Sequence, residues 1–255
     1  MFNNLFNKRN INGKCYVVYC FNYDQNTTNN LFDFLLKYFD EQVNVLFRYM
    51  GFYDERYNDS YGELGMMRKK IDPSKWRDII SITLDTSDMR VTGSENKACI
   101  DFSITRPIET IIVIPDESEF NFPDFTSDFF RIFRTIYGFS YDVDVHYWPT
   151  AYAKIDWEHA RKNPSMKDLS KEDLARFSKN CEKIQEGFIR DVYKENILSP
   201  IHLNRMVNGQ KLSELIESEK IGQLSSINED LFFWELKEDE VKKTKERINK
   251  SGLII

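Results

Sequence analysis

The chain is expected to fold as an α+β protein: a two-layer sheet with helices on one face, ferredoxin-like in topology, followed by a mainly helical C-terminal half. Three observations lead there. Runs rich in β-branched and aromatic residues recur through the first 155 residues. Two stretches with helical apolar spacing interrupt them, and after about Asp156 helix-start signals take over. The order strand, helix, several strands, helix, strand suits an antiparallel or mixed sheet with helices packed against one side.

Cys15 to Tyr23 (CYVVYCFNY) is nearly all apolar or aromatic, as a central strand covered on both faces would be. Thr27 or Thr28 caps a following helix whose Leu31, Phe32, Leu35, Leu36 and Phe39 share one stripe. Val43 to Tyr49 reads as the next strand, and residues 51–70, with Gly51, Gly62 and Gly65, as a long hairpin or irregular loop. Trp76 to Leu84 adds a strand. Ala98 to Thr105 and Thr110 to Ile114 add two more, joined by a turn at Arg106-Pro107. A second helix begins near Asp124, carries Phe125, Phe129, Ile132, Phe133 and Ile136, and is expected to end in a left-handed cap at Gly138.

Beyond Asp156 the pattern becomes helical. Ser170 and Asp173 form a variant capping box ahead of Leu174, Phe177, Cys181, Ile184 and Phe188. Ser199-Pro200 starts a helix running through Val207, since proline suits the first helical turn. Leu212 to Ile216 reads as a short helix, Leu231 to Leu236 as a short strand, and Asp239 to Lys250 as a charged helix stopped by Gly252. The expected division is a sheet domain, 1–155, and a helical subdomain, 156–255. Many apolar positions of the second need the first to pack against, so a single interdependent domain fits equally well.

A hydrophobic fraction of 41% with 20 Phe and 13 Tyr excludes disorder in a chain of 255 residues. The formal charge of −6 disfavours a general nucleic-acid binder, which needs basic surface to displace counterions from phosphate. The four cysteines are scattered without a CxxC, and Cys15 and Cys20, five apart on a strand, point to opposite faces. Free thiols in a reducing compartment follow. MFNNLFNKRN lacks the apolar core of a secretory signal, and no run reaches the roughly 18–20 apolar residues that cross a bilayer. A cytoplasmic protein without a membrane partner is expected.

One segment brings acid/base groups together by spacing alone. In FSYDVDVHY, Phe139, Tyr141, Val143, Val145 and Tyr147 fall on one side, and Ser140, Asp142, Asp144 and His146 on the other. Alternate residues on a strand face stand about 6.5–7 Å apart, too far for Asp142 and His146 to share a metal readily. Three readings stay open: a solvated face whose charges discourage aggregation, a partner-binding face with Trp148 and Tyr152 as anchors, and a metal or catalytic site. A second candidate is the stretch Phe52, Tyr53, Tyr57 and Tyr61, interleaved with Asp54, Glu55, Asp59 and Glu63. Its rings either cover the sheet edge or, with the Asp142 face, present an acidic aromatic surface to a basic partner.

Other motifs are silent. His159 and His202 stand in no zinc pattern, and no GxSxG or SxxK occurs. GELG at Gly62 to Gly65 lacks the Walker spacing, and KEDEVKKTKERINK reads as a solvated helix face. No catalytic residue, metal or cofactor is therefore expected. The candidate partner-binding residues are Tyr53, Tyr57, Tyr61, Asp142, Asp144, His146 and Trp148.

Phe188 to Leu203 (FIRDVYKENILSPIHL), followed by VNGQKLSELI, IGQL and LFFWEL, resembles the C-terminal part of bacterial immunity-type proteins. YGF at 137–139 and TAYAKI at 150–155 share that likeness. Such proteins are encoded beside toxins delivered by contact-dependent or type VI secretion systems. The resemblance carries no catalytic residues to transfer. It implies a cytosolic protein of bacterial competition that binds one cognate toxin and occludes its active site. Two other functions remain as alternatives: a metal-dependent hydrolase or nuclease using Asp142, Asp144 and His146, and a structural or scaffold protein of a phage or secretion system.

Overall fold

A computed structural model of the protein describes residues 12–20, 27–54, 56, 59–71, 76, 78–88, 98–103, 108–115, 119–145, 147–166 and 169–255. Among them, ten strands form one antiparallel sheet that runs the whole width of the molecule. Its central strands are β1 (Asn12–Cys20), β7 (Thr135–Asp144) and β6 (Ile108–Pro115). On one side the order continues through β5 (Cys99–Ser103), β4 (Ile79–Asp85), β2 (Tyr49–Asp54) and β3 (Asp59–Glu63). On the other it continues from β7 through β8 (Glu195–Leu198) and β12 (Phe232–Glu235) to β11 (Gln223–Ser226). The remaining two strands, β9 (Met206–Val207) and β10 (Gln210–Lys211), make a separate small hairpin.

The ferredoxin-like two-layer arrangement with a mainly helical C-terminal half is therefore corrected. Residues after 156 supply three strands of the main sheet, and β8 pairs directly with β7 (Tyr137 opposite Leu198). ENIL is too short to stand out before Ser199-Pro200, and QLSS has almost no apolar content. β8 forms because the open edge of β7 offers it a ladder, and β11 because β12, paired to β8, offers the next one, which is tertiary context rather than local preference.

β1 is apolar on both sides, and alternation sends its residues to two separate cores. Tyr16, Val18 and Cys20 join Ile112 and Ile114 under helix α1 (Thr27–Gln42) and helix α3 (Phe122–Phe130). Leu31, Leu35 and Phe39 of α1 meet Phe125 and Phe129 of α3 there, all fully buried. Val17, Tyr19, Tyr137 and Phe139 belong to the opposite core, beneath residues of the C-terminal half. That second layer includes Leu174 and Phe177 of helix α5 (Lys171–Asn180), Leu215 and Ile216 of α7 (Leu212–Glu219), and Ile248 of α8 (Glu238–Asn249). Burying each such side chain is worth roughly 1.5–3 kcal/mol, so a sheet apolar on both faces requires both layers. Helices α2 (Leu64–Lys70), α4 (Trp157–Ala160) and α6 (Pro200–Leu203) complete the described set.

Several local expectations hold and some do not. Ser170 Oγ accepts from Asp173 N at 3.2 Å and caps α5. Residues 43–48 are not a strand: Asn44 takes a left-handed φ of 56° and Val45 N bonds back to Phe39 O. Helix α3 ends at Phe130, and Gly138 lies inside β7 rather than at a helix cap. A Cβ at Gly138 would stand 2.8 Å from Val17 O, so glycine is needed there for close approach of β1. The expected turn at Arg106-Pro107 lies outside the described residues.

Candidate functional site

Strand pairing lines up side chains into rows across the sheet. One row runs Asp59, Tyr53, Ser81, Ser103, Glu109, Tyr19 and Tyr137. The next runs Tyr61, Gly51, Thr83, Asp101, Ile111, Val17 and Phe139. Both lie on the face that the C-terminal half covers at its centre. That apolar cover reaches β5 at Cys99 and includes no buried residue of β4, β2 or β3. Across those strands the same face changes character: Tyr49, Tyr53, Tyr61, Ser81, Thr83 and Ser103 are half-exposed, and Asp59 and Glu63 exposed.

The change is written into the strands. β2 to β6 contain Asp54, Asp59, Glu63, Asp85, Asp101 and Glu109 but no lysine or arginine. Tyr49 and Tyr61 stack with ring planes 2° apart and centroids 6.2 Å apart. An open cavity of about 310 Å³ is lined by Gly51, Phe52, Tyr53, Asp59, Tyr61, Ser81 and Thr83. Of the acids in these strands, Asp59 and Glu63 are exposed beside the half-exposed tyrosines, while Asp85 and Asp101 are buried and Asp101 is paired with Lys154.

A polar cluster marks the border between covered and open face. Arg190, 3% exposed, donates through Nη2 to the Tyr152 carbonyl at 2.6 Å and through Nη1 to the Ala153 carbonyl at 3.3 Å. Its guanidinium lies over the rings of Tyr152 and Phe177, 4.2 and 4.3 Å from their centroids. Nη1 also donates to Tyr19 Oη at 3.4 Å, and Tyr19 in turn donates to Glu109 Oε1 at 2.7 Å. Burial pushes the Glu109 carboxyl up to about 7, against the lowering effects of Tyr19 and Arg190. Next to it, Asp101 accepts from Thr83 Oγ1 at 3.2 Å and pairs with Lys154.

This cluster holds no activated nucleophile. Burial pushes the Cys15 thiol on this face, like the Cys20 thiol on the opposite one, up to about 12 and raises the Tyr19 hydroxyl well above its ordinary range. A thiol held that high is inert at neutral pH. Among the described residues, no three His, Cys, Asp or Glu side chains are placed to hold a metal ion.

The expected site residues separate. Tyr53 and Tyr61 stand on the open face and line its cavity. Tyr57 and His146 lie outside the described residues. Asp142 pairs in register with Lys14, which alternates away from Tyr19, so it occupies the opposite face from Tyr53. The structure thus does not join the tyrosine stretch and the Asp142 strand into one surface. Asp142 forms an ion pair with Lys194 at 2.7 Å, and Lys14 pairs with Glu195 at 2.8 Å. Asp144 is buried, with its backbone N–H and carbonyl held by the Asn163 side chain at 3.2 and 2.9 Å. Trp148 is 60% exposed at a left-handed φ of 50°, its ring 4.3 Å from that of His159.

Sequence reading passes over Asp101, Glu109 and Arg190. Their signal is a charge inside an apolar run: one in CIDFS, one in IETIIVIP, and the adjacent pair Arg190-Asp191 in FIRDV. Compared with known protein families, characterised proteins and solved structures, the chain matches none. Among the described residues no helix is long and apolar enough to cross a membrane.

Proposed function

We propose that the protein works by binding: the open acidic face of β2 to β5 docks a basic protein. In this reading the partner is an antibacterial toxin that the protein neutralises by occlusion in the cytoplasm. The observation that carries the docking reading is the change of one sheet face from a covered apolar core to half-exposed tyrosines among carboxylates, with no cation in strands β2 to β6. Tyrosine offers large contact area at small entropic cost, and a field of one sign steers an oppositely charged partner. Inert thiols and a buried, fully engaged arginine suit a rigid scaffold. The toxin assignment itself rests on the likeness of Phe188 to Leu203 and its following segments to immunity-type proteins.

Co-expression with the product of the adjacent upstream gene tests both parts. The expected result is protection of the cells and a complex that survives gel filtration. The double substitution Tyr53→Ala, Tyr61→Ala should abolish both while the melting temperature of the free protein stays within a few degrees. Absence of protection together with absence of a complex overturns the toxin reading. A complex that the double variant forms equally well overturns the face.

A further inference from the structure

Building on the docking reading, we infer that the cavity at Gly51 is a receptor slot for one arginine side chain of the partner. Gly51 is the missing side chain in the row Tyr61, Gly51, Thr83, and Tyr53 stands two residues further along the same strand. A Cβ at Gly51 would meet Tyr61 Cδ2 at 3.1 Å and Thr83 Cβ at 3.8 Å. The Tyr61 ring lies against the strand at that place, and the open cavity of about 310 Å³ is bounded by these residues together with Asp59 and Ser81. That is near the lower end of the roughly 300–1,000 Å³ of ligand pockets, the right scale for one long side chain.

The lining has the chemistry of a cation receptor. Tyr53 and Tyr61 supply rings, Asp59 a carboxylate directly opposite Tyr53, and Ser81 and Thr83 hydroxyls on the other flank. Asp101, behind Thr83, is already paired with Lys154 and accepts from Thr83 Oγ1, so Asp59 is the carboxylate of the lining. A cation is attracted to ring faces and to carboxylates together. A planar guanidinium can stack on one ring while donating to an acid and a hydroxyl, which an ammonium point charge does less well. Within the molecule Arg190 lies over Tyr152 and Phe177, and Phe188 carries Arg205 at 3.7 Å and Lys183 at 5.8 Å, the guanidinium being the nearer. A phosphate placed there would be repelled by Asp59.

The test uses the intact protein with three small probes, N-acetyl-arginine amide, N-acetyl-lysine amide and N-acetyl-citrulline amide, followed by amide chemical shifts. Arginine amide should shift Gly51, Tyr61 and Thr83 saturably, and citrulline amide, its neutral isostere, should not. Tyr61→Leu and Asp59→Asn should each weaken arginine amide at least tenfold. Gly51→Val should abolish its binding; if that variant misfolds by circular dichroism, the other two decide. No saturable shift, equal binding of citrulline amide, or tighter binding of lysine amide overturns the slot. If the slot fails while Tyr53→Ala, Tyr61→Ala still disrupts capture of the basic partner, the docking reading stands alone. If arginine amide binds as expected and no partner is captured, the converse holds.

Discussion

The Nη2 atom of Arg190 donates to the carbonyl oxygen of Tyr152 across 2.6 Å, joining two segments 38 residues apart beneath the sheet's covered face. The same guanidinium reaches Tyr19 on β1, so one side chain links the central strand to the layer that covers it. Arg190→Ala should destabilise the protein by about 3 kcal/mol or more, because it strands two carbonyls and the Tyr19–Glu109 pair without their donor. Arg190→Lys should recover little, since an ammonium cannot reproduce the planar fork stacked between rings. Urea denaturation of the three proteins measures both effects.

Glu109 sets a stability slope near neutral pH. Burial raises its carboxyl to about 7 from an ordinary value near 4.5, so the folded state holds the proton more tightly than the unfolded chain. Its contribution is fully present below pH 4.5 and is lost as pH rises through about 7. Glu109→Gln keeps an acceptor for the Tyr19 hydroxyl and removes the titration. The melting temperature of the variant relative to the parent should therefore climb between pH 4.5 and 7.5. A difference that is flat across that range contradicts the assignment.

His202 should behave oppositely. It is fully buried, pairs with Ser199 Oγ through Nδ1 at 2.9 Å, and stacks on Tyr137 with centroids 5.3 Å apart. Burial pushes its imidazole down to about 3. The unfolded chain takes up a proton below about 6.5 that the folded state refuses, so this contribution to stability is lost as pH falls from 6.5 toward 3. The ring carbon shifts of His202 should remain those of a neutral imidazole at pH 5, and a midpoint between pH 6 and 7 contradicts this.

Two glycines should respond with opposite sign to alanine. Gly187 closes the 3-10 helix of residues 181–186 at φ 89°, and an added Cβ would stand 2.5 Å from Ile201 O. Gly187→Ala should cost about 1–3 kcal/mol from backbone strain, with the steric clash adding to it. Gly65 lies in α2 with nothing within 4 Å of such a Cβ. Gly65→Ala should stabilise the protein by up to about 1 kcal/mol through helix propensity. Thermal melts of the pair decide the point.

Most strands and helices of the first half are legible because their apolar periodicity reports the layer they face. The Ser170 cap and the split of Cys15 and Cys20 between two cores follow from local chemistry and alternation. What periodicity cannot report is which strands become neighbours. From Phe139 to Asp144 the side chains do alternate across β7, yet Ser140 and Asp144 are buried and Asp142 is engaged by Lys194, a cation 52 residues away. Tyr53 and Tyr61 draw notice by composition, but their slot depends on Gly51 and Thr83, which pairing alone brings beside them. Arg190, a charge beside Asp191 between apolar residues, has partners from β1 and from residues 152–153 that no local window contains.

The three strands at the far edge, together with α5, α7 and α8, all follow β7 in sequence, and this bears on the order in which the parts of the sheet are made. Everything through β7 leaves the ribosome before any of its outer cover, carrying Val17, Tyr137 and Phe139 bare and the flank of β7 unpaired. At about 5–20 residues per second that interval lasts on the order of 5–20 s. Until those later segments emerge, the apolar side of β1 and β7 has nothing of its own chain to shield it from water.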